Sequence, residues 1–303
     1  MSMKINTRRK KSKSEKIIFG IVFVILLLWA ICLLFPVFWL LINSFKHYNQ
    51  YYADITPIIG SPFKFPALWE WDNYLIGFSE VSIRTAFGYA TFFDMLFNTI
   101  WYCCIRTILP VLIPLMTAYA MAKYQFHGRN AIYNFVIISM IIPIFGTGGA
   151  SFTFYYDLGL YDNPLYVVYT SLGGFGGSFL IMYGYFKSIS WTYAEAVFID
   201  GGNDYTVFFK IMLPMAMPIA STFAIMSFIG AWNDYNTMLV YLPDYPTLAS
   251  AVFQLANGND SMAQTDPPVY FSILLIMSLP VVVLFSIFSD MIMNNLTLGG
   301  IKG

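Results

Sequence analysis

Tyr193-Ala-Glu-Ala-Val-Phe-Ile-Asp-Gly-Gly-Asn-Asp-Tyr-Thr-Val-Phe-Phe-Lys-Ile-Met-Leu-Pro214 is a polar stretch set between two long apolar runs. It carries Glu195, Asp200 and Asp204, a Gly201-Gly202 step and a closing Leu213-Pro214. The pattern predicts a short helix over residues 191–199, with Ser190 or Thr192 as its cap. Gly201-Gly202 then turns the chain, and a second helix begins at Asn203 or Asp204, both good caps. Ala194, Val197 and Phe198 give the short helix an apolar side, and Glu195 gives it a charge. Two uses fit: docking into a partner's groove, or resting as an amphipathic elbow on lipid headgroups.

The flanking runs define the setting. Hydrophobic residues make up 58% of the 303 residues and charged residues only 11%, against about 25% charged in soluble domains. Apolar runs longer than about 18 residues indicate a polytopic membrane protein. Backbone in lipid must satisfy its own hydrogen bonds, so spans are helices or a closed barrel. These runs are continuous rather than alternating, which predicts an all-α integral membrane fold. The formal net charge is zero, so nothing favours nucleic acid as a partner. Cys32, Cys103 and Cys104 lie in or beside apolar segments and read as buried thiols. His47 and His127 are too isolated for a metal site.

Outward from the opening stretch, the charge pattern predicts six spans with both termini in the cytoplasm. Residues 1–16 form a basic tail. The apolar run over residues 17–42 is too long for a signal-peptide core, and no cleavage site follows, so it reads as the first transmembrane helix. Residues 43–91, rich in proline, tryptophan and acid, read as a small extracytoplasmic cap or a membrane-surface segment. Residues 92–293 hold spans two to six, with the cytoplasmic loop at 187–210, and residues 294–303 form a cytoplasmic tail. The second span contains Arg106, which either snorkels to the outer headgroups or faces an internal pathway. The third is expected over about 131–155 and includes Pro143. The fourth, over about 165–186, holds Gly173, Gly174, Gly176 and Gly177, which serve close helix packing or a flexible point. The fifth covers about 211–231 and the sixth about 269–292. Lys and Arg concentrate on the assigned inner side, in agreement with the positive-inside rule.

No catalytic motif is assembled, and no catalytic residue, cofactor-binding residue or metal ligand stands out. A solute carrier without a P-loop draws energy from an ion gradient or from a partner. Ion-coupled carriers bury several charges in mid-span and show similar halves. This chain shows neither, which leaves a partner-driven transporter. A membrane enzyme and a non-transporting assembly or sensor subunit are the other classes.

The opening stretch also resembles the EAA motif of ATP-binding-cassette importer permeases: Glu-Ala-Ala, three residues, Gly, nine residues, Ile-x-Leu-Pro. Here Glu195-Ala196-Val197, Gly201 and Ile211-Met-Leu-Pro214 keep that spacing, with Val197 replacing the second Ala. Asp200-Gly201-Gly202 corresponds to the Asp-Gly-Ala common in sugar permeases, with Gly202 replacing Ala. Ala118-Tyr-Ala-Met-Ala-Lys123, Phe126-His-Gly-Arg129, Trp232-Asn233-Asp234-Tyr235 and the tail Leu298-Gly-Gly-Ile-Lys-Gly303 look like the maltose-G type of carbohydrate permease. The resemblance runs from about residue 17 to the end. It implies the type I importer permease fold in a bacterial cell membrane. It implies import of a sugar, an oligosaccharide for preference, with a peptide, amino acid or osmolyte as the alternative. The implied partners are a second homologous permease, an ATPase dimer that binds the ATP and Mg, and an extracytoplasmic solute-binding protein. Glu195, Ala196, Asp200, Gly201 and Pro214 would couple to the ATPase, and Gly299, Gly300, Lys302 and Gly303 would reach it from the tail. Tyr183, Trp232, Asn233 and Asp234 are the candidates for the sugar pathway or outer gate.

Overall fold

A computed structural model describes residues 12–56, 60–142, 145–258 and 265–298. The tail candidates Gly299, Gly300, Lys302 and Gly303 lie outside the described residues, as does Pro143. The described chain is predominantly helical, and its contacts divide into two units.

The first unit holds α1 (Lys13–Ser44), α2 (Tyr48–Ile55), the start of α3 (Asp72–Glu80) and the start of the last helix. Ser12 and Glu15 cap α1 reciprocally: the Ser12 N–H donates to Glu15 Oε2 at 2.8 Å, and the Glu15 N–H donates to Ser12 Oγ at 3.2 Å. Most side chains from Ile17 to Phe38 are exposed, as expected of a helix whose apolar surface meets lipid or another subunit. The segment after α1 is packed rather than splayed. Phe45 lies among Trp69, Trp71 and Tyr74, with ring centroids 5.1, 4.7 and 5.0 Å away. Lys46 is fully buried and donates to Asp54 at 2.9 Å. The Asn73 side chain donates to the carbonyls of Ser44 and Lys46. Buried polar groups are tolerated when paired in this way.

The second unit begins with an antiparallel hairpin of β1 (Ser82–Thr85) and β2 (Gly88–Thr91). Gly88, at φ +126°, makes its tight turn. Thr91 and Asp94 then start α4 (Phe92–Lys123), the Thr91 N–H donating to the Asp94 carboxylate at 2.9 Å. Helix α4 is the spine of the unit. Against it pack α7 (Leu165–Ser171), α8 (Gly177–Ser188) and α10 (Asp204–Trp232). The core between them includes Leu115, Ala118, Tyr119, Phe179, Phe186 and Met212.

The expected third and fourth spans are each two helices. The third divides into α5 (Arg129–Ile141) and α6 (Gly148–Asp157), with Gly146 in the left-handed region at φ +73° between them. The fourth divides into α7 and α8 at the glycine run. Thr117 of α4 donates to the Gly174 carbonyl at 2.7 Å, and a Cβ on Gly174 would lie 3.1 Å from Thr117 Cγ2. Gly174 therefore lets the broken strand of chain lie directly on α4, and Thr117 satisfies a carbonyl that the helix break frees. The chain continues through α9 (Thr192–Ile199), α10, α11 (Asn236–Tyr241), α12 (Leu248–Asn257) and α13 (Pro267–Leu298). Among the described residues, three helices are long and apolar enough to cross a membrane: Ser14–Ser44, Phe92–Lys123 and Asp204–Trp232.

Candidate coupling elbow and membrane cavity

The opening stretch folds as a helix–turn–helix elbow. Helix α9 covers Thr192–Ile199, one residue short of the expected start. Gly201 follows at φ +80°, a conformation that a Cβ disfavours. The Gly202 N–H donates to Val197 O at 2.8 Å and closes the turn. Asn203, rather than Asp204, caps α10: its side chain accepts from the Thr206 N–H at 3.0 Å. Asp204 instead accepts from the Tyr124 hydroxyl at 2.7 Å. A wide π-helical turn over Val207–Met212 precedes Pro214. Pro214 has no N–H to donate back along the helix, and such turns accommodate a missing rung.

The elbow is fastened to the end of α4. Lys123 donates to the Ile189 carbonyl, and Tyr124 lies edge-on to Trp191 as well as bonded to Asp204. Ala194 is fully buried beneath the elbow, and Val197 is half-buried. The other face is open: Glu195, Ala196 and Asp200 are exposed, and Ile199 is 85% exposed. Among the described residues, Glu195 and Asp200 have no ion-pair partner.

The two departures from the motif that this stretch resembles touch each other. A Cβ on Gly202 would lie 2.5 Å from Val197 Cγ1. The larger side chain at 197 therefore occupies the space that the smaller residue at 202 leaves, a complementarity visible only once the turn is folded.

The pathway candidates separate. Tyr183 packs in the core beside α4, and its hydroxyl accepts from Arg129 at 3.1 Å. Trp232, Asn233 and Asp234 sit together at the end of α10 but face different ways. Trp232 donates to the Met277 carbonyl at 3.3 Å, and Asn233 donates to Ile229 O at 2.8 Å. Asp234 turns toward α4. It accepts from the Tyr102 hydroxyl at 2.5 Å, and from the Thr237 N–H and hydroxyl at 3.0 and 2.7 Å.

Arg106 turns toward Asp234. It lies near the midpoint of the 32-residue α4, its guanidinium 3.9 Å from Asp234 and 5.9 Å from the Tyr102 ring centroid. Arg106, Pro110, Ser227, Gly230, Ala231 and Asp234 line a cavity of about 280 Å³. Tyr102 and Thr237 carried no motif to single them out. A basic residue in one apolar run and an acidic residue just after another was the available signal.

A second acidic contact lies in loops away from the helices. The Asp244 N–H donates to Asp162 Oδ1 at 3.1 Å, and the Ala86 N–H donates to Asp244. Burial first, and the side-chain interaction with the Asp244 carboxyl second, push the Asp162 carboxyl up to about 6, against the opposing pull of the Asp244 N–H.

Comparison with known proteins places this geometry in context. The family described as "Binding-protein-dependent transport system inner membrane component" matches residues 111–297. The chain is similar to the diacetylchitobiose uptake system permease protein NgcG of Streptomyces coelicolor, with 25% identity over 292 residues, 96% of this chain and 91% of that one. It is similar to the arabinooligosaccharides transport system permease protein AraQ of Halalkalibacterium halodurans, with 28% identity over 282 residues, 90% and 93% of the two chains. Its fold is similar to a chain in the crystal structure of a bacterial transporter involved in import of the acidic polysaccharide alginate. That TM-score is 0.73 at 24% identity, covering 93% of this chain and 98% of the other.

Proposed function

This chain belongs to the family of binding-protein-dependent transport inner membrane components, and from that premise we propose that it is the permease subunit of a bacterial sugar importer. It is a transport component, not an enzyme. In this reading it pairs with a second, related permease beneath a solute-binding protein. Two ATPase subunits bind ATP and Mg and supply the energy. The chain crosses the membrane six times with both ends in the cytoplasm, and the broken third and fourth spans lie inside that bundle. The tail residues Gly299, Gly300, Lys302 and Gly303 reach toward the ATPase. Relatives named for diacetylchitobiose and arabinooligosaccharides support an oligosaccharide as cargo.

The single observation that carries the coupling role is the two-sided elbow. Its inner face is locked to the end of α4 through Lys123, Tyr124 and Ala194. Its outer face presents Glu195, without an ion-pair partner among the described residues, beside Ala196 and Ile199. A force on the outer face therefore reaches α4 and α10 together. Closing the ATPase dimer on ATP would push this elbow and swing the bundle between inward- and outward-facing states, a rigid-body switch. Glu195 meets an Arg or Lys of the ATPase, Gly201 allows the turn, and Pro214 holds the angle at the start of the apolar part of α10.

Glu195→Lys tests the role in the reconstituted complex. The variant inserts normally, recovers less ATPase on purification and loses sugar-stimulated ATP hydrolysis. Wild-type attachment and hydrolysis would remove the coupling role.

A further inference from the structure

Arg106 has hydrogen-bonding capacity that its neighbours leave unused. The Asp234 carboxylate already accepts from the Tyr102 hydroxyl and twice from Thr237. Arg106 reaches it only at 3.9 Å, and no hydrogen bond to the guanidinium is formed among the described residues. A guanidinium has five N–H donors in a fixed fork. These lie at the wall of the 280 Å³ cavity with Pro110, Ser227 and Gly230. Near the middle of an apolar helix, a charge with idle donors is costly and marks a functional position by default.

The occupant can be narrowed by chemistry. The cavity combines apolar walls with a few convergent polar groups, the usual form of a small-molecule site, and its size lies just under the ~300 Å³ lower range of such sites. What Arg106 lacks, among the described residues, is an acceptor within hydrogen-bond reach, since the Asp234 carboxylate is already engaged by Tyr102 and Thr237. A second carboxylate would bring one, but it would also face Asp234 in a poorly screened setting. Ring and hydroxyl oxygens bring acceptors without charge, and the Arg106–Asp234 pair is already neutral as a unit. We infer that this cavity is a subsite for one uncharged sugar unit, with Arg106 as the donor that selects it. The inference rests on the sugar-importer reading and adds a specificity-determining residue to it.

The test uses the complete complex in proteoliposomes with its binding protein. Three probes are compared: arabinotriose and galactotriose, which are uncharged, and trigalacturonate, which is acidic. Arg106→Gln should lower uptake of the uncharged probe that the wild type carries by roughly ten- to a hundredfold, the usual range for losing a hydrogen bond to a charged group. ATPase attachment should stay at the wild-type level, and Arg106→Lys should recover part of the rate. Unchanged uptake in Arg106→Gln would overturn the inference. So would a wild type that carries only trigalacturonate or none of the three, or a loss of uptake accompanied by loss of ATPase attachment. Glu195→Lys in parallel separates the failures. If it uncouples ATP hydrolysis while Arg106→Gln is silent, the subsite alone falls. If Glu195→Lys is silent as well, the coupling role falls too, and a wild type that carries none of the three probes removes the sugar reading.

Discussion

Replacing Gly202 with alanine probes the elbow where its geometry is tightest. The new methyl would lie 2.5 Å from Val197 Cγ1 and 3.0 Å from Val197 O. Carbon atoms rest about 3.5–4.0 Å apart, so the two side chains must separate by about 1 Å. Gly201 at φ +80° and the Gly202 N–H bond to Val197 O fix the turn on both sides. The displacement therefore passes into α9, which carries Glu195. Overpacking of this kind costs about 1–3 kcal/mol. Val197→Ala alone removes two half-buried methyl groups and should cost about 1 kcal/mol. The double variant Val197→Ala, Gly202→Ala takes two methyl groups from one residue and adds one to the other, which removes the clash and refills part of the space. A double-mutant cycle on the purified complex, read by thermal unfolding and by sugar-stimulated ATP hydrolysis, should give a coupling of about 1–2 kcal/mol in favour of the pair. In hydrolysis, Gly202→Ala should be the most impaired of the three and the double variant close to wild type. Wild-type behaviour of Gly202→Ala, or a double variant no better than Gly202→Ala, would refute the argument.

Three other sites give separate expectations. Asp54→Ala strands the fully buried Lys46 and should destabilise its unit by about 3–5 kcal/mol, whereas Lys46→Met with Asp54→Leu should be far milder in the same unfolding assay. Tyr124→Phe keeps the ring against Trp191 but removes the donor to Asp204, so hydrogen exchange at the start of α10 should accelerate without loss of insertion. The Asp162–Asp244 contact should depend on pH. Folding raises the Asp162 carboxyl to about 6, so the stabilisation is complete below the ordinary carboxylate range near 4 and is lost as pH rises through 6. Exchange protection of the loop at 158–164 should be higher at pH 5 than at pH 7. Asp162→Asn should hold the pH 5 level at both, because the amide donates without a proton to lose and tolerates the φ of +52°.

The parts of this molecule fixed by short-range chemistry were readable in advance. The elbow is the clearest case. A helix, a left-handed glycine and a capping asparagine lie within a dozen residues, and each is dictated by its own side chain. The apolar runs at 17–42 and 211–231 likewise fall within the long helices α1 and α10. What escaped were relations between distant residues. Arg106 and Asp234 are far apart in sequence, so their approach to 3.9 Å is a matter of packing that no local pattern announces. The glycines near 174 signalled close approach, but a helix with small residues and a broken helix have the same composition. The break is visible only in the fold, where Thr117 satisfies the Gly174 carbonyl that it frees. Tyr183 and Asp234 were grouped by residue type, yet one lies in the core beside Arg129 and the other borders the cavity. Val197 and Gly202 each looked like a small departure, and only their contact shows that they belong together.

In the function proposed for this chain, an ATPase grips the exposed face of α9. Site-directed crosslinking tests it most directly, in a background with Cys32, Cys103 and Cys104 replaced. Ile199→Cys, at an 85% exposed position on α9, should crosslink to the ATPase subunit in the assembled complex, with a yield that changes on adding ATP. Phe87→Cys, at a 79% exposed position between β1 and β2, should not crosslink to it. An ATPase crosslink from Phe87→Cys, or none from Ile199→Cys in a complex that still hydrolyses ATP, would contradict the account.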